Sequence, residues 1–157
     1  MPGIDEKDRE ILRILRKEGR ITLTELGKRV GLSPASVKNR VEKLEKLGAI
    51  KGYSAIVDPA FLDEYVQAFF ELRLAIDDHT IDQILMKIAR LEEVQSLHRR
   101  SGERQILVRA SFHSTDEVKA FAGRLKRLFG KNLERVEVTL IIDTFKENWV
   151  SGEIERR

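Results

Sequence analysis

Three glycine-punctuated helical runs in the first third of the chain, followed by two copies of a strand–helix–strand pattern, predict an α+β fold. Its parts read as an N-terminal winged helix-turn-helix and a C-terminal βαββαβ ferredoxin-like domain. The boundaries fall at residues 1–57 for the first domain, 58–64 for a hinge and 65–157 for the second. A chain of 157 residues with 41% hydrophobic content can build two small cores.

Asp5 is a good N-cap for the first helix and Asp8 lies in its first turn; Ile11, Leu12 and Leu15 then recur at helical spacing until Gly19. Thr22 and Glu25 stand at capping-box spacing, Leu26 and Val30 give the second helix its buried side, and Gly31 supplies a left-handed stop. Ser33-Pro34 open the third helix, with Val37, Val41, Leu44 and Leu47 as its apolar stripe and Gly48 as its end. Residues 50–57 read as a short strand pair or wing around Gly52, and Asp58-Pro59 as a hinge.

In the second half, residues 66–76 alternate, with Val66, Ala68, Phe70, Leu72, Leu74 and Ile76 on one face. A helix from Thr80 carries Ile81, Ile84, Leu85, Ile88 and Leu91, a weaker strand spans 94–100, and Gly102 marks a hairpin. The next strand, 105–113, buries Ile106, Val108, Ala110 and Phe112. Ser114 and Glu117 cap a helix presenting Val118, Phe121, Ala122, Leu125, Leu128 and Phe129. A final strand over 135–145 carries Val136, Val138, Leu140 and Ile142 at period two. Both helices cover one sheet face. The other should hold Phe69, Glu71, Arg73, Leu107, Arg109, Thr139, Ile141 and Asp143, a mixture too apolar to leave wet, which predicts a homodimer.

Composition narrows the function classes. The absence of cysteine removes disulfides, thiol catalysis and thiolate zinc sites. With no signal segment and no apolar run long enough to span a bilayer, a cytoplasmic protein is expected, without a membrane partner. Charged residues at 35% fit a heat-adapted source. Over residues 1–57 there are 13 Lys/Arg against 8 Asp/Glu, a balance of +5, whereas residues 58–157 carry 16 against 18. Only the first third invites a polyanion.

Its second and third helices, joined through Gly31-Leu32-Ser33 with Gly27 at the close approach, form a DNA-reading helix pair locked by Leu26, Leu32 and Val37. Opposite the apolar stripe of the third helix lie Ser36, Lys38, Asn39, Lys43 and Lys46, with Arg40 on the flank. Asn39 can pair bidentately with adenine and Arg40 with guanine, while Lys38, Lys43 and Lys46 suit phosphate. Ser33 can donate its hydroxyl to phosphate beside the free amides of the helix start. Pro34, with Lys51 and Tyr53 of the wing, completes the expected set of contacts to double-stranded DNA.

The motifs Asp5-x-x-Asp8 before Ile11-Leu12, Leu32-Ser33-Pro34, Arg40-Val41-x-x-Leu44-Glu45-x-x-Gly48-x-Ile50-x-Gly52-Tyr53 and Asp58-Pro59 resemble those of the leucine-responsive and asparagine-regulator (Lrp/AsnC, or feast/famine) transcription factors. The resemblance runs over nearly the whole chain. It implies a βαββαβ domain that dimerises through its sheet, dimers assembling to tetramers or octamers, and an amino-acid effector held near the hairpin. Here that site would be Ser101, Gly102, Glu103, Arg104 and Gln105 together with Thr139. The family's Thr-Gly-Asp-x-Asp reads Ser101-Gly102-Glu103-Arg104-Gln105 in this chain, so a neutral amide replaces the second acid. Charge-assisted bonds are roughly twice as strong as neutral ones, so either the ligand differs or effector binding has been lost.

Two rival readings share the architecture. A sirohaem-decarboxylase-like enzyme would need His98 and His113 to converge on an acidic porphyrin, and an architectural protein would bind DNA without sequence preference. No nucleophile–base pair, phosphate-binding glycine loop or metal-ligand spacing occurs, so neither catalysis nor a cofactor is expected.

Overall fold

A computed structural model describes residues 3–151. These divide into two compact units, residues 3–56 with 144–151, and residues 57–143. The sequence places the final segment in the second domain; the structure groups it with the first unit instead. Its local contact explains why: the Arg16 guanidinium lies over the Trp149 ring, 3.9 Å from the centroid, and a cation over an indole face is attracted by the ring quadrupole.

The first unit is built on helices α1 (Glu6–Leu15), α2 (Leu23–Val30) and α3 (Pro34–Lys46). Ile11, Leu26, Val30, Val37, Val41 and Leu44 form its core. Each helix starts on a side-chain cap. Asp5 accepts from the Asp8 amide at 2.8 Å while Asp8 accepts from the Asp5 amide at 3.1 Å, a complete capping box. Thr22 accepts from the Glu25 amide and Ser33 from the Ser36 amide, both at 3.1 Å. Gly31 ends α2 in the left-handed conformation, φ 72°. Leu47, expected on the apolar stripe, is 55% exposed, because α3 ends at Lys46 and Gly48 turns the chain away. The expected strand pair over 50–57 is also not formed. Residues 51–57 run without strand pairing among the described residues, having no turn to fold the segment back on itself. A two-residue hairpin, β5 (Lys146–Glu147) and β6 (Val150–Ser151), closes the unit through Asn148 and Trp149, both at positive φ as in a type I′ turn.

The second unit opens with a 3₁₀ turn (Pro59–Leu62), begun by Asp58 accepting from the Ala60 amide at 3.0 Å. There follow β1 (Val66–Leu74), α4 (His79–Ile88), β2 (Val94–Arg100), β3 (Gln105–Phe112), α5 (Thr115–Phe129) and β4 (Leu133–Leu140). The sheet is antiparallel with spatial order β2-β3-β1-β4, the ferredoxin-like arrangement. Ala68, Phe70, Leu72 and Leu74 of β1 and Ile106, Val108, Ala110 and Phe112 of β3 face α4 and α5, and Phe70 packs edge-on against both Phe112 and Phe121 within this core. The last strand is shorter than expected. Its final sheet bond runs from the Ile141 amide to the Gln67 carbonyl at 2.8 Å, near the start of β1, beyond which no partner remains. Because β4 is an edge, α5 covers Val136 but leaves Val138 and Leu140 each 42% exposed; Ile142, past the strand, is 86% exposed. Ile76, expected on the inner face, also lies beyond its strand and is exposed.

Candidate nucleic-acid interface and effector hairpin

Burial of Val37, Val41 and Leu44 against α1 and α2 determines which side of α3 meets solvent. The approach of α2 to the turn before α3 is close. A Cβ on Gly27 would stand 2.5 Å from the Leu32 carbonyl oxygen, so only glycine fits there. On the open side Lys38, Asn39 and Lys46 are exposed, Lys38 reaching only to Glu42 at 3.9 Å. Pro34 is exposed in the first turn; Ser36 is half-buried and its amide is occupied by the Ser33 cap. Lys51 projects from the extended segment after α3. Tyr53 donates to Glu45 Oε1 at 2.8 Å; burial and that carboxylate push its phenol up to about 12, so it stays a neutral donor.

Arg40 and Lys43 occupy a different setting. Arg40 Nη1 lies 2.7 Å from Asp5 Oδ2 and 3.0 Å from Asp8 Oδ1, and Lys43 Nζ lies 2.5 Å from Asp8 Oδ2. The structure therefore ties to α1 two cations that the sequence assigns to guanine and phosphate. Asp8 itself is fully buried. Burial alone would raise its carboxyl; the bonds from Lys43, the Asp5 amide and Arg40 outweigh that and hold it low. The same pairing with Arg40 lowers Asp5 to about 2. Neither aspartate was expected to matter beyond capping α1. The signal was present: Asp8 sits three residues before Ile11, on the buried stripe, where a carboxylate requires partners.

In the second unit the hairpin turn occupies residues 101–104, with Arg104 at φ 51°. Arg104 folds back onto β1, Nε donating to the Leu74 carbonyl at 2.9 Å, while the Leu74 amide donates to the Arg104 carbonyl at the same distance. Its guanidinium also pairs with Glu103 at 3.1 Å, and Arg73 meets Glu103 at 3.4 Å. The Gln105 side chain lies against Gly102, where an added Cβ would approach its amide to 2.4 Å. Beside the hairpin is a cavity of about 100 Å³ whose polar lining is Glu71, Arg73, Arg100, Gln105, Arg135 and Glu137. Ser101 and Glu103 are exposed and do not line it. Thr139 is not gathered with them: it pairs with Phe69, four residues along β1 from Arg73, roughly 13 Å at strand rise. Arg135 and Glu137 stand there in its place, unforeseen because the register of β4 against β1 cannot be counted from sequence alternation alone.

His98 and His113 do not converge. His98 pairs with Leu107, and His113 lies six residues further along that strand, roughly 20 Å away. The His113 ring instead meets the Asp63 carbonyl at 2.8 Å, a bond that raises its pKa, with help from the Glu117 charge.

Residues 4–51 match the family description winged helix-turn-helix DNA-binding, and residues 67–150 the Lrp/AsnC ligand binding domain. An uncharacterized HTH-type transcriptional regulator of Pyrococcus furiosus is 46% identical over 96% of this chain and 99% of its own. The leucine-responsive regulatory protein of Escherichia coli is 37% identical over 88% of this chain and 87% of its own. Among solved structures, the leucine response regulatory protein of Mycobacterium tuberculosis superposes with a TM-score of 0.78 at 30% identity, covering 92% of this chain and 97% of that one. A transcriptional regulator of Neisseria meningitidis in complex with L-Met superposes with a TM-score of 0.76 at 26% identity, covering 92% and 93%.

Proposed function

The chain belongs to the Lrp/AsnC family of helix-turn-helix transcriptional regulators, and from that premise we propose that it reads a specific duplex sequence through α3 under the control of an amino-acid effector. One observation carries the reading: α3 turns Lys38, Asn39 and Lys46 to solvent, on a domain whose sequence balance is +5. Asn39 is the base-reading residue, since its amide can both accept from and donate to adenine; Lys38, Lys46, Lys51 and the Ser33 hydroxyl serve the backbone. A helix of this diameter fits the major groove, and two copies would present α3 to half-sites about 34 Å apart or a multiple of it. The exposed Val138, Leu140 and Ile142 support a homodimer, and further association of dimers to tetramers or octamers follows the family.

Selection of bound DNA from a random pool tests the reading. A consensus is expected from the wild-type chain, and Asn39→Ala should relax it at the adenine position, costing about 1–3 kcal/mol of discrimination. Recovery of DNA without consensus would leave an architectural binder.

For the effector, the mixed charges around the hairpin cavity suit a zwitterion, with Arg73, Arg100 and Arg135 toward its carboxylate and Glu71 and Glu137 toward its ammonium. The cavity of one chain is small, so a full site draws on a second copy, and the L-Met held by the Neisseria meningitidis regulator supports the ligand class. A thermal-shift screen of the proteinogenic amino acids should reveal the ligand, since saturation at a hundred times Kd adds about 2.7 kcal/mol to stability. No shift with any of them would remove the effector from the proposal.

A further inference from the structure

Four charged side chains between α1 and α3 cancel one another: Asp5 and Asp8 against Arg40 and Lys43, with four ion pairs or hydrogen bonds between 2.5 and 3.0 Å. At the centre is Asp8, fully buried, one oxygen on Lys43 and the Asp5 amide, the other on Arg40. We propose that Asp8 is a specificity-determining positioning residue: it binds the two cations on one flank of α3 so that they add nothing to sequence-blind attraction to phosphate, and it sets the angle at which Asn39 meets the groove. The inference rests on the reading of α3 as the DNA-facing helix.

A carboxylate on the buried stripe of α1 is an expensive choice unless its charge is used. An apolar residue would pack α1 on α3 more simply, and α1 already has Ile11 for that purpose. What Asp8 adds is direction. Lys43 leaves α3 on the flank turned to α1, and Asp8 is the acid on which it ends; Arg40, one turn earlier, is held by Asp5 and Asp8 together. These contacts draw one flank of α3 onto α1. The cations on the open side, Lys46 and Lys38, the latter paired only with Glu42 at 3.9 Å, lie elsewhere around the helix. Duplex affinity through phosphate grows with each neutralised phosphate, and it grows equally for every sequence, so fewer free cations near the reading face raise the ratio of specific to non-specific binding.

The number of cations used on DNA is read from salt dependence. The logarithm of the binding constant falls against the logarithm of salt with a slope near −0.9 for each neutralised phosphate. Binding of the selected duplex and of a scrambled duplex should be titrated by fluorescence anisotropy across a salt series, for the wild-type chain, K43Q, D8N and D8N/K43Q. Lys43 is already committed, so K43Q should leave the slope on the scrambled duplex unchanged. D8N frees Lys43, so the slope should steepen by about one unit and the preference for the selected duplex should narrow; D8N/K43Q should restore the wild-type slope. A purely structural role for Asp8 would weaken both duplexes without this gain and reversal. If K43Q, whose side chain is partly exposed, lowers the slope by about one unit, Lys43 contacts phosphate and the inference is overturned even should D8N fail to fold. Wild-type chain that binds neither duplex would overturn the reading of α3 itself, a result distinct from wild-type binding with an altered K43Q slope.

Discussion

A single methyl group at Gly27 would meet the Leu32 carbonyl at 2.5 Å, and backbone cannot yield as a side-chain tip can. Gly27→Ala is therefore expected to push α2 off the turn before α3 and to cost about 1–3 kcal/mol, measured as a lower urea midpoint; an unchanged midpoint would mean the two segments are not truly in contact. This position was legible in the sequence, because Gly27 stands four residues before the Gly31 stop and ahead of Leu32-Ser33-Pro34. Asp8 was legible only in part: its place on the buried stripe of α1 calls for a partner, but nothing near it in the sequence says that the partner lies on α3. The pH dependence of stability is the matching measurement. Asp5 has an ordinary value of 3.8, held in the folded chain at about 2, and Asp8 is lowered too. A carboxylate depressed by folding contributes fully above its unfolded value and loses that contribution as pH falls through its folded one. Urea midpoints should thus decline below about pH 4, and Asp5→Asn should flatten that decline. A wild-type acid limb identical to that of the variant would sever the Asp5 shift from stability.

The helices show how elements take their ends from local chemistry. Ser33 caps α3 through the Ser36 amide, and Pro34 occupies the first turn, where its missing N–H costs nothing. Ser33→Ala should lower stability by about 1 kcal/mol, and Ser33→Gly by only a few tenths; equal losses in chemical denaturation would point to a hydroxyl contact other than the cap. Caps, the Gly31 and Gly48 stops and the alternation of β1 and β3 were all readable, because each is written within a few adjacent residues; Gly19 was not the stop it resembled, since α1 already ends at Leu15. What was not readable depended on distant partners. The segment 51–57 has strand-forming residues but finds no strand, and β4 alternates as expected yet buries little, because alternation says which side a residue faces and nothing of whether a helix lies above it. The hairpin between β2 and β3 follows the same rule: residues 101–104 form the expected turn, while Thr139 lies a strand's half-length from it and Arg135 and Glu137 take its place.

At the scale of the whole molecule, the proposed homodimer can be tested through the β4 edge, where Val138, Leu140 and the following Ile142 are apolar and exposed. Burial of each such side chain stabilises association by about 1.5–3 kcal/mol at most, and a glutamate in its place would have to be desolvated without a partner. Val138→Glu with Leu140→Glu changes only residues that solvent already reaches in the single chain, so each unit should stay folded while sedimentation equilibrium reports a mass no more than half that of the wild-type assembly. Retention of the wild-type mass would place the interface elsewhere. The consequence for DNA follows from valency. Two recognition helices on one particle make the second half-site contact intramolecular, which raises affinity by roughly 10²–10⁴-fold over one helix acting alone. The double variant should therefore lose most of its affinity for a paired-site duplex and keep its affinity for a single half-site, a split that no change within α3 would produce, because a damaged reading face weakens both duplexes together.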